Sequence, residues 1–267
     1  MVAAFLASIA LAQAAACAPP AGAEQFLSRP ETRFIVVGET HGTAEAPAAF
    51  AELVCAASER GPVVVALELP DLMQPQLEAL LAAPDEASAR AALAGTWFLN
   101  PRVDDGRTSV AMLAMLNRLR LLKANGREVV IHAFVPSVPH VRGVSQAYSE
   151  LQMGAKLSSV AYAHPDAKIL VLVGNVHASK IVTDNPRIGR PAVAHLPSAD
   201  VISLLVGFQG GEAWNCRESC GVNPMEVVDD PDLRGVVMQP MDDGAYDGLL
   251  ALSPATASPQ ASLNTTP

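Results

Sequence analysis

Aromatic and charged residues are scarce in this sequence of 267 residues. Aromatic side chains make up 4% of it and charged ones 17%, whereas 50% of the residues are hydrophobic. So apolar a chain is not disordered in bulk, and its core has to be built from Ala, Val and Leu. The formal net charge is −9, and no stretch is rich in Lys and Arg. Because nucleic acid is bound mainly by clustered Lys and Arg, the sequence argues against a nucleic-acid partner.

Three widespread functional motifs are also missing. Ser109, Ser145 and Ser179 do not lie in a Gly-x-Ser-x-Gly nucleophile elbow. The sequence has no Gly-x-x-x-x-Gly-Lys phosphate loop, and no Gly-x-Gly-x-x-Gly follows the first strand-like segment. These absences argue against a nucleophile-elbow serine hydrolase, a P-loop protein and a dinucleotide-binding enzyme.

Cysteine is rare, with four residues in the chain. Three residues separate Cys216 from Cys220, and in an oxidising compartment this spacing predicts a small disulfide loop. A metal site is the weaker interpretation, because no second cysteine pair or nearby histidine completes a ligand set. Cys55 lies in an apolar helical segment and is interpreted as a small buried hydrophobic residue.

The N-terminus lacks a Lys or Arg ahead of its apolar segment, but its composition still indicates an export signal. Residues 1–16 are almost entirely apolar, and their length suits a signal peptide better than a membrane span of about twenty residues. Two kinds of processing stay open: a lipoprotein cleavage that leaves a lipid anchor on Cys17, or ordinary cleavage after Ala14 or Ala23. Both predict an exported protein that is periplasmic, secreted or lipid-anchored in the cell envelope, with Cys17 as its one predicted link to a membrane.

The rest of the chain predicts one domain with helices and strands in alternation. Residues 1–23 are interpreted as the leader plus a linker, residues 24–252 as a single α/β domain, and residues 253–267 as a disordered tail. Alternation of strand-like and helix-like segments predicts a Rossmann-like, mostly parallel sheet flanked by helices. No helix-length segment separates residues 192–196 from residues 201–208, so both are predicted as strands of an antiparallel C-terminal extension.

Two of the strand-like segments end in the same motif, Gly-x-x-His. The motif occurs in residues 34–41 and again in residues 169–177, and a third strand-like segment, residues 63–68, ends in a glutamate. Open α/β sheets bind their ligands at the carboxyl ends of parallel strands. We therefore expect four side chains to meet at one edge of the sheet: Glu39, His41, Glu68 and His177.

Carboxylate and imidazole groups together perform two kinds of chemistry. They hold a divalent metal, which for this donor set is zinc, manganese or iron, or they act as a general base and its orienting partner. Glu39 and His41 are two residues apart on an extended segment and project to the same side. Arg107 precedes a predicted helix and is a candidate for binding an anionic group of a substrate, with an ion pair to Asp104 as the alternative.

The sequence resembles the superfamily that joins erythromycin-esterase-like hydrolases, Tiki/TraB-type metalloproteases and ChaN-like haem-binding lipoproteins. The residues that carry the resemblance lie within roughly residues 33–180 and are Gly38-Glu39-Thr40-His41-Gly42-Thr43-Ala44-Glu45, Leu67-Glu68 and Gly174-Asn175-Val176-His177. The resemblance implies a Rossmann-like core with the site at its strand ends. It also implies that His41 is a general base or a metal ligand, with Glu39, Glu68 and His177 beside it.

Two hypotheses on function follow, beside a third in which the chain is a structural protein of the cell envelope and these side chains have no activity. The first is an exported, metal-assisted hydrolase that activates water among Glu39, His41, Glu68 and His177 and acts on a small molecule or a peptide. The alternative is a non-catalytic lipoprotein of the ChaN-like type that binds haem or a metal. Haem ligation of that type requires a Tyr or His on an exposed helix, and Tyr148 and Tyr162 lie on a predicted helix.

Overall fold

The computed structural model describes residues 16–137, 145–228, 230 and 232–263 of the chain. Their α-helices are α1 (Glu24–Leu27), α2 (Glu45–Ser58), α3 (Gln74–Ala82), α4 (Glu86–Ala92), α5 (Val110–Ala124), α6 (Gln146–Ala163) and α7 (Asn175–Ala178). Their strands are β1 (Phe34–Glu39), β2 (Val63–Pro70), β3 (Val129–Val135), β4 (Lys168–Gly174), β5 (Val201–Gly207), β6 (Glu212–Cys216), β7 (Cys220–Pro224), β8 (Gly235–Val237) and β9 (Gly248–Ala251). Among these residues, no helix is both long and apolar enough to span a membrane.

Seven strands form one sheet in the order β3-β2-β4-β1-β5-β9-β8, and β6 pairs with β7 in a separate antiparallel hairpin. Neighbours in the large sheet are parallel except for β8, which runs antiparallel to β9. Strand β4 lies between β1 and β2, with Glu39 opposite Gly174. The carboxyl ends of these three strands therefore meet at one edge, which positions the site. The predicted α/β fold with a mostly parallel sheet is confirmed.

Helices cover the sheet on both faces, which is why its central strands are apolar throughout. Ile35 and Val37 of β1 belong to a core shared with α2, α3 and α5, whereas Phe34 and Val36 belong to a second core shared with α6. The alternation follows the two-residue period of a strand. The sequence predicts a helix that Ser109 caps and another that begins near Ser145, and the hydroxyls of both residues accept hydrogen bonds from backbone amides in the first turns of α5 and α6.

The C-terminal extension differs from the prediction in two respects. Residues 193–195 form a short 3-10 helix instead of a strand. Strand β5 joins the sheet parallel to β1, with Phe34 opposite Val201, so the antiparallel part is limited to β8 and the separate hairpin. The sequence pattern predicted no crossover connection before β5. In the structure, α7, the irregular segment that follows it and the 3-10 helix form the crossover from β4 to β5.

Both ends of the described chain pack on the domain. Residues 253–263, for which the composition predicted a disordered tail, form bridges at Ala257 to Thr43 and at Gln260 to Ser109, and Ala261 is buried in the core. Residues 264–267 lie outside the described residues, as do residues 1–15 of the predicted leader. The predicted linker is also docked, since the backbone amide of Val236 donates to the carbonyl of Ala21 at 2.7 Å.

All four cysteines are paired. Cys216 is bonded to Cys220, which is the disulfide that the spacing predicted. Cys17 is bonded to Cys55, so the interpretation of Cys55 as an unbonded buried hydrophobic residue is wrong. The error arose because the partner lies 38 residues earlier in the chain, and sequence alone does not give disulfide connectivity. Two disulfides fit an oxidising compartment.

Candidate active site

Glu39 and His41 form a hydrogen-bonded pair at the carboxyl end of β1. The Nδ1 atom of His41 lies 3.1 Å from Oε1 of Glu39, and the Glu39 side chain is buried. A carboxylate on Nδ1 keeps the proton on that nitrogen and leaves Nε2 as the atom that accepts or delivers a proton. The Oε2 atom of Glu39 is buried and has no hydrogen-bond partner among the described residues.

Glu68 lies at the centre of the cluster, near the end of β2. Its Oε2 atom accepts a hydrogen bond of 2.7 Å from the backbone amide of Gly174 and lies 3.6 Å from Nε2 of His41. Its Oε1 atom lies 3.8 Å from Nε2 of His177. The structure therefore brings Glu39, His41, Glu68 and His177 together, although 138 residues separate the first of them from the last in the sequence.

His177 is oriented by a carboxylate that the sequence analysis missed, Glu150 of α6. Nδ1 of His177 lies 2.8 Å from one oxygen of Glu150 and 2.9 Å from the other. Glu150 is fully buried and also accepts from Gln146 and from the backbone amide of Ala192. It shares the buried stripe of α6 with Met153, and a carboxylate at helical spacing on an apolar stripe was the signal that could have revealed it.

Arg107 reaches the cluster from the loop before α5. Its Nη1 atom donates to Oε1 of Glu68 at 3.2 Å, and its Nε atom donates to Asp105 at 3.0 Å. The guanidinium also lies 5.1 Å from the ring centroid of Trp97, which is a cation–π contact. Arg107 thus belongs to the site, and its acidic neighbour in the loop is Asp105, where Asp104 was the predicted alternative.

The electrostatics of the cluster favour protonated imidazoles. Burial by itself lowers the pKa of His41, but the carboxylates of Glu68 and Glu39 outweigh it and hold this pKa above its ordinary value. For His177, burial also lowers the pKa, and the hydrogen bond to Glu150 together with the charge of Glu68 raises it above the ordinary value. Each histidine therefore keeps its proton to a higher pH than a free imidazole does.

A close backbone contact locks the loops around His41. The amide of Trp214 in β6 donates to the carbonyl of Gly42 at 2.9 Å. A Cβ atom on Gly42 would lie 1.7 Å from the carbonyl oxygen of Trp214, and one on Gly106 would lie 2.6 Å from that oxygen and 2.6 Å from the amide nitrogen of Gly42. Three segments therefore meet at these two glycines: the hairpin β6–β7, the loop that carries Arg107 and the turn after β1.

The contact between Arg107 and Glu68 disfavours a resident divalent ion at the Glu–His cluster. Glu68 already accepts from Arg107, and a guanidinium 3.2 Å from its oxygen would repel a cation bound there. Within the described residues, the one group of at least three His, Cys, Asp or Glu ligand atoms within 4.8 Å of one another is Asp104, Cys216 and Cys220. Its two sulfurs are bonded to each other and are not thiolates. No step below is derived through a metal.

The sequence matches no protein-family model, and no curated protein matches it. Comparison with solved structures is informative. A mutant of erythromycin esterase EreC in its open conformation is 12% identical, with a TM-score of 0.60, over 90% of this chain and 89% of that one. The chain shares the fold of erythromycin esterase. A succinoglycan biosynthesis protein is 10% identical with a TM-score of 0.59 over 88% of this chain and 91% of that one.

A protein of Bacillus cereus is also similar to this chain in fold. It is 13% identical, with a TM-score of 0.52, over 85% of this chain and 90% of that one. The resemblance inferred from the motifs is thereby confirmed as a likeness of fold. At these identities the likeness concerns the fold alone, so the chemistry has to be argued from the side chains described above.

Proposed function

We propose that this protein is an exported hydrolase that cleaves a carboxylic ester by direct attack of water, with His41 as the general base. The observation that supports the proposal is the convergence of two Glu–His pairs on one carboxylate. Glu39 orients His41, Glu150 orients His177, and Nε2 of both imidazoles faces Glu68. Paired carboxylate and imidazole groups of this kind serve as general acids and bases.

In the first step, a water oxygen attacks the carbonyl carbon of the ester, and its proton passes to Nε2 of His41. The carbonyl π bond opens, and its electron pair becomes the oxyanion of a tetrahedral intermediate. Arg107 supplies positive charge beside this oxyanion, and its pKa lies above the ordinary value because hydrogen bonds and charges of Asp105 and Glu68 outweigh burial. A preorganised cation of this kind stabilises charge that develops in the transition state.

In the second step, the oxyanion re-forms the carbonyl group and the bond to the leaving oxygen breaks. His177 protonates that oxygen from Nε2, and its raised pKa favours the acid form that this step requires. The products are a carboxylic acid and an alcohol. His41 then releases its proton to solvent and His177 takes one up, which restores the starting state.

A covalent cysteine route does not apply, because all four cysteines are in disulfides. The metal-assisted form of the hypothesis stays a prediction, and the arrangement of Arg107 and Glu68 favours the metal-independent form.

Haem binding also stays a prediction. Tyr148 and Tyr162 of α6 are 43% and 90% exposed. Within the described residues, neither tyrosine has a contact with the Glu–His cluster that would mark it as a haem ligand.

The test is hydrolysis of p-nitrophenyl esters by the purified mature protein. We expect His41→Ala to lower kcat by about 10²–10⁴-fold, with chelator leaving the wild-type rate unchanged. His164→Ala is the matched control, because His164 pairs with His132 away from the site, and it should retain the wild-type rate. Equal rates for His41→Ala and wild type would overturn the proposal. Loss of activity in chelator, restored by zinc or manganese, would favour the metal-assisted form, and a Soret band after haemin addition would favour haem binding.

A further inference from the structure

One apolar row of the sheet is only half-buried on the face that carries α6 and α7. Leu205 of β5, Leu249 of β9 and Val237 of β8 stand opposite one another in register and are each partly exposed. The neighbouring residues Leu204 and Leu250 point to the other face and are fully buried. The exposed row is thus an opening on this face of the sheet, at the end that β5, β9 and β8 form.

This row is the floor of a cleft with a volume of about 670 Å³. The lining includes Met225 and Met241, together with the charged or polar residues Arg217, Glu226, Asp230 and Gln239. The volume falls in the range of small-molecule sites, which combine apolar side chains with a smaller number of polar groups. Methionine side chains are flexible and adapt to apolar ligands of different shape.

The cleft borders segments that carry the Glu–His cluster. Thr40 and Asn175 line its end; Thr40 lies between Glu39 and His41, and Asn175 precedes His177 by two residues. The hydroxyl of Tyr246 donates to the carbonyl of Asn175 at 2.7 Å and fixes this part of the rim. The cleft and the cluster are therefore neighbours on the same edge of the sheet and share β1 as their boundary.

We propose that this cleft binds the apolar acyl chain of the ester substrate, so that the protein prefers medium-chain acyl esters to acetyl esters. The proposal rests on the proposed function. A chain that lies along Leu205 and Leu249 would place its carboxyl end beyond Thr40, next to His41. Each buried methylene contributes a factor of about four in binding, and that contribution appears in the rate when the acyl chain stays bound in the transition state.

The test compares kcat/KM for p-nitrophenyl acetate, butyrate and octanoate. We expect at least a tenfold preference for octanoate over acetate in the wild type. Leu249→Trp fills the floor of the cleft and should lower the octanoate-to-acetate ratio at least tenfold. Leu72→Trp is the matched control, because Leu72 is 76% exposed, and it should leave the ratio unchanged. Met241→Trp fills the cleft from its side wall and serves if Leu249→Trp does not fold.

A binding measurement keeps this proposal separable from the catalytic one. The fluorescent probe N-phenyl-1-naphthylamine should bind the wild type and be displaced by octanoate but not by acetate, whether or not any ester is hydrolysed. Binding should weaken at least fivefold in Leu249→Trp or Met241→Trp. Probe binding without hydrolysis would contradict the proposed function and leave the cleft assignment intact. Hydrolysis with no chain-length preference, or probe binding unaffected by both Trp variants, would overturn the cleft assignment alone.

Discussion

Both carboxylate oxygens of Glu150 contact Nδ1 of His177, at 2.8 and 2.9 Å. Glu150 comes from α6 and is fully buried, whereas His177 lies at the rim in α7. The pKa of Glu150 lies below its ordinary value, because the hydrogen bond and charge of His177 outweigh burial. Removing the charge of Glu150 should therefore change the acid–base behaviour of His177 without touching a substrate.

Glu150→Gln keeps the size of the side chain and removes its charge. We expect kcat to fall about 10–100-fold, by analogy with other partners that orient a functional histidine. Since the pKa of His177 is raised chiefly by this carboxylate, it should fall, and the alkaline limb of the pH–rate profile should move to lower pH. The ¹H NMR titration of His177 measures the pKa directly. Glu86→Gln, at an exposed position of α4, is the control, and an unmoved alkaline limb in Glu150→Gln would contradict the role of Glu150.

The acid limb of the profile should report His41. A general base must be unprotonated, and a raised pKa keeps His41 protonated up to a higher pH than a free imidazole. Activity should therefore be lost as pH falls, with a midpoint of kcat/KM above 6.5. Glu68→Gln removes a charge that raises this pKa, so its acid limb should move to lower pH along with a lower maximal rate. A wild-type midpoint below 6.5, or the same midpoint in both proteins, would be inconsistent with this assignment.

Gly42→Ala and Gly126→Ala form a matched pair of substitutions. Both glycines have left-handed backbone, with φ of 81° and 83°, but a Cβ on Gly42 would meet the carbonyl oxygen of Trp214 and one on Gly126 would meet nothing within 4 Å. Both should incur the backbone cost of about 1 kcal/mol, and Gly42→Ala should cost about 1–3 kcal/mol more because of the clash. Urea unfolding measures the difference. Equal stabilities would contradict the close contact, and only Gly42→Ala should reduce kcat.

The two disulfides should differ in their effect on stability. Cys17–Cys55 spans 38 residues and Cys216–Cys220 spans four. The chain-entropy model gives about 4 kcal/mol for the first loop and about 2 kcal/mol for the second. We therefore expect the double variant Cys17→Ser/Cys55→Ser to lose more free energy of unfolding than Cys216→Ser/Cys220→Ser, as measured by urea denaturation. The reverse order would contradict this ranking.

A peptide map of the mature protein decides how Cys17 is used. One sulfur cannot both join Cys55 and carry a lipid, so the disulfide and the predicted lipid anchor exclude each other. We expect a peptide cross-linked through Cys17 and Cys55 under non-reducing conditions. A diacylglyceryl group on Cys17, found by mass spectrometry, would show that lipidation replaces this disulfide.

Much of the fold followed from local patterns. Apolar β-branched runs that end in glycine gave β1 and β4, and Ser109 and Ser145 marked the starts of α5 and α6. The direction of β5 did not follow, because strand direction depends on how the chain crosses over the sheet. The tail was misjudged for a related reason: Ser, Pro and Thr are typical of disorder, but here Ala257 and Gln260 pair with other segments.

The sequence by itself determined which residues could perform the chemistry, since Glu39, His41, Glu68 and His177 each follow directly from a strand signal and its terminal motif. Only the tertiary structure decided how they act. The insertion of β4 between β1 and β2 brings His177 toward Glu68, and the packing of α6 brings Glu150 onto His177. Such contacts are formed by segments distant in the chain, so the packed arrangement sets their energies, and a local pattern can mark a buried carboxylate such as Glu150 without identifying its partner.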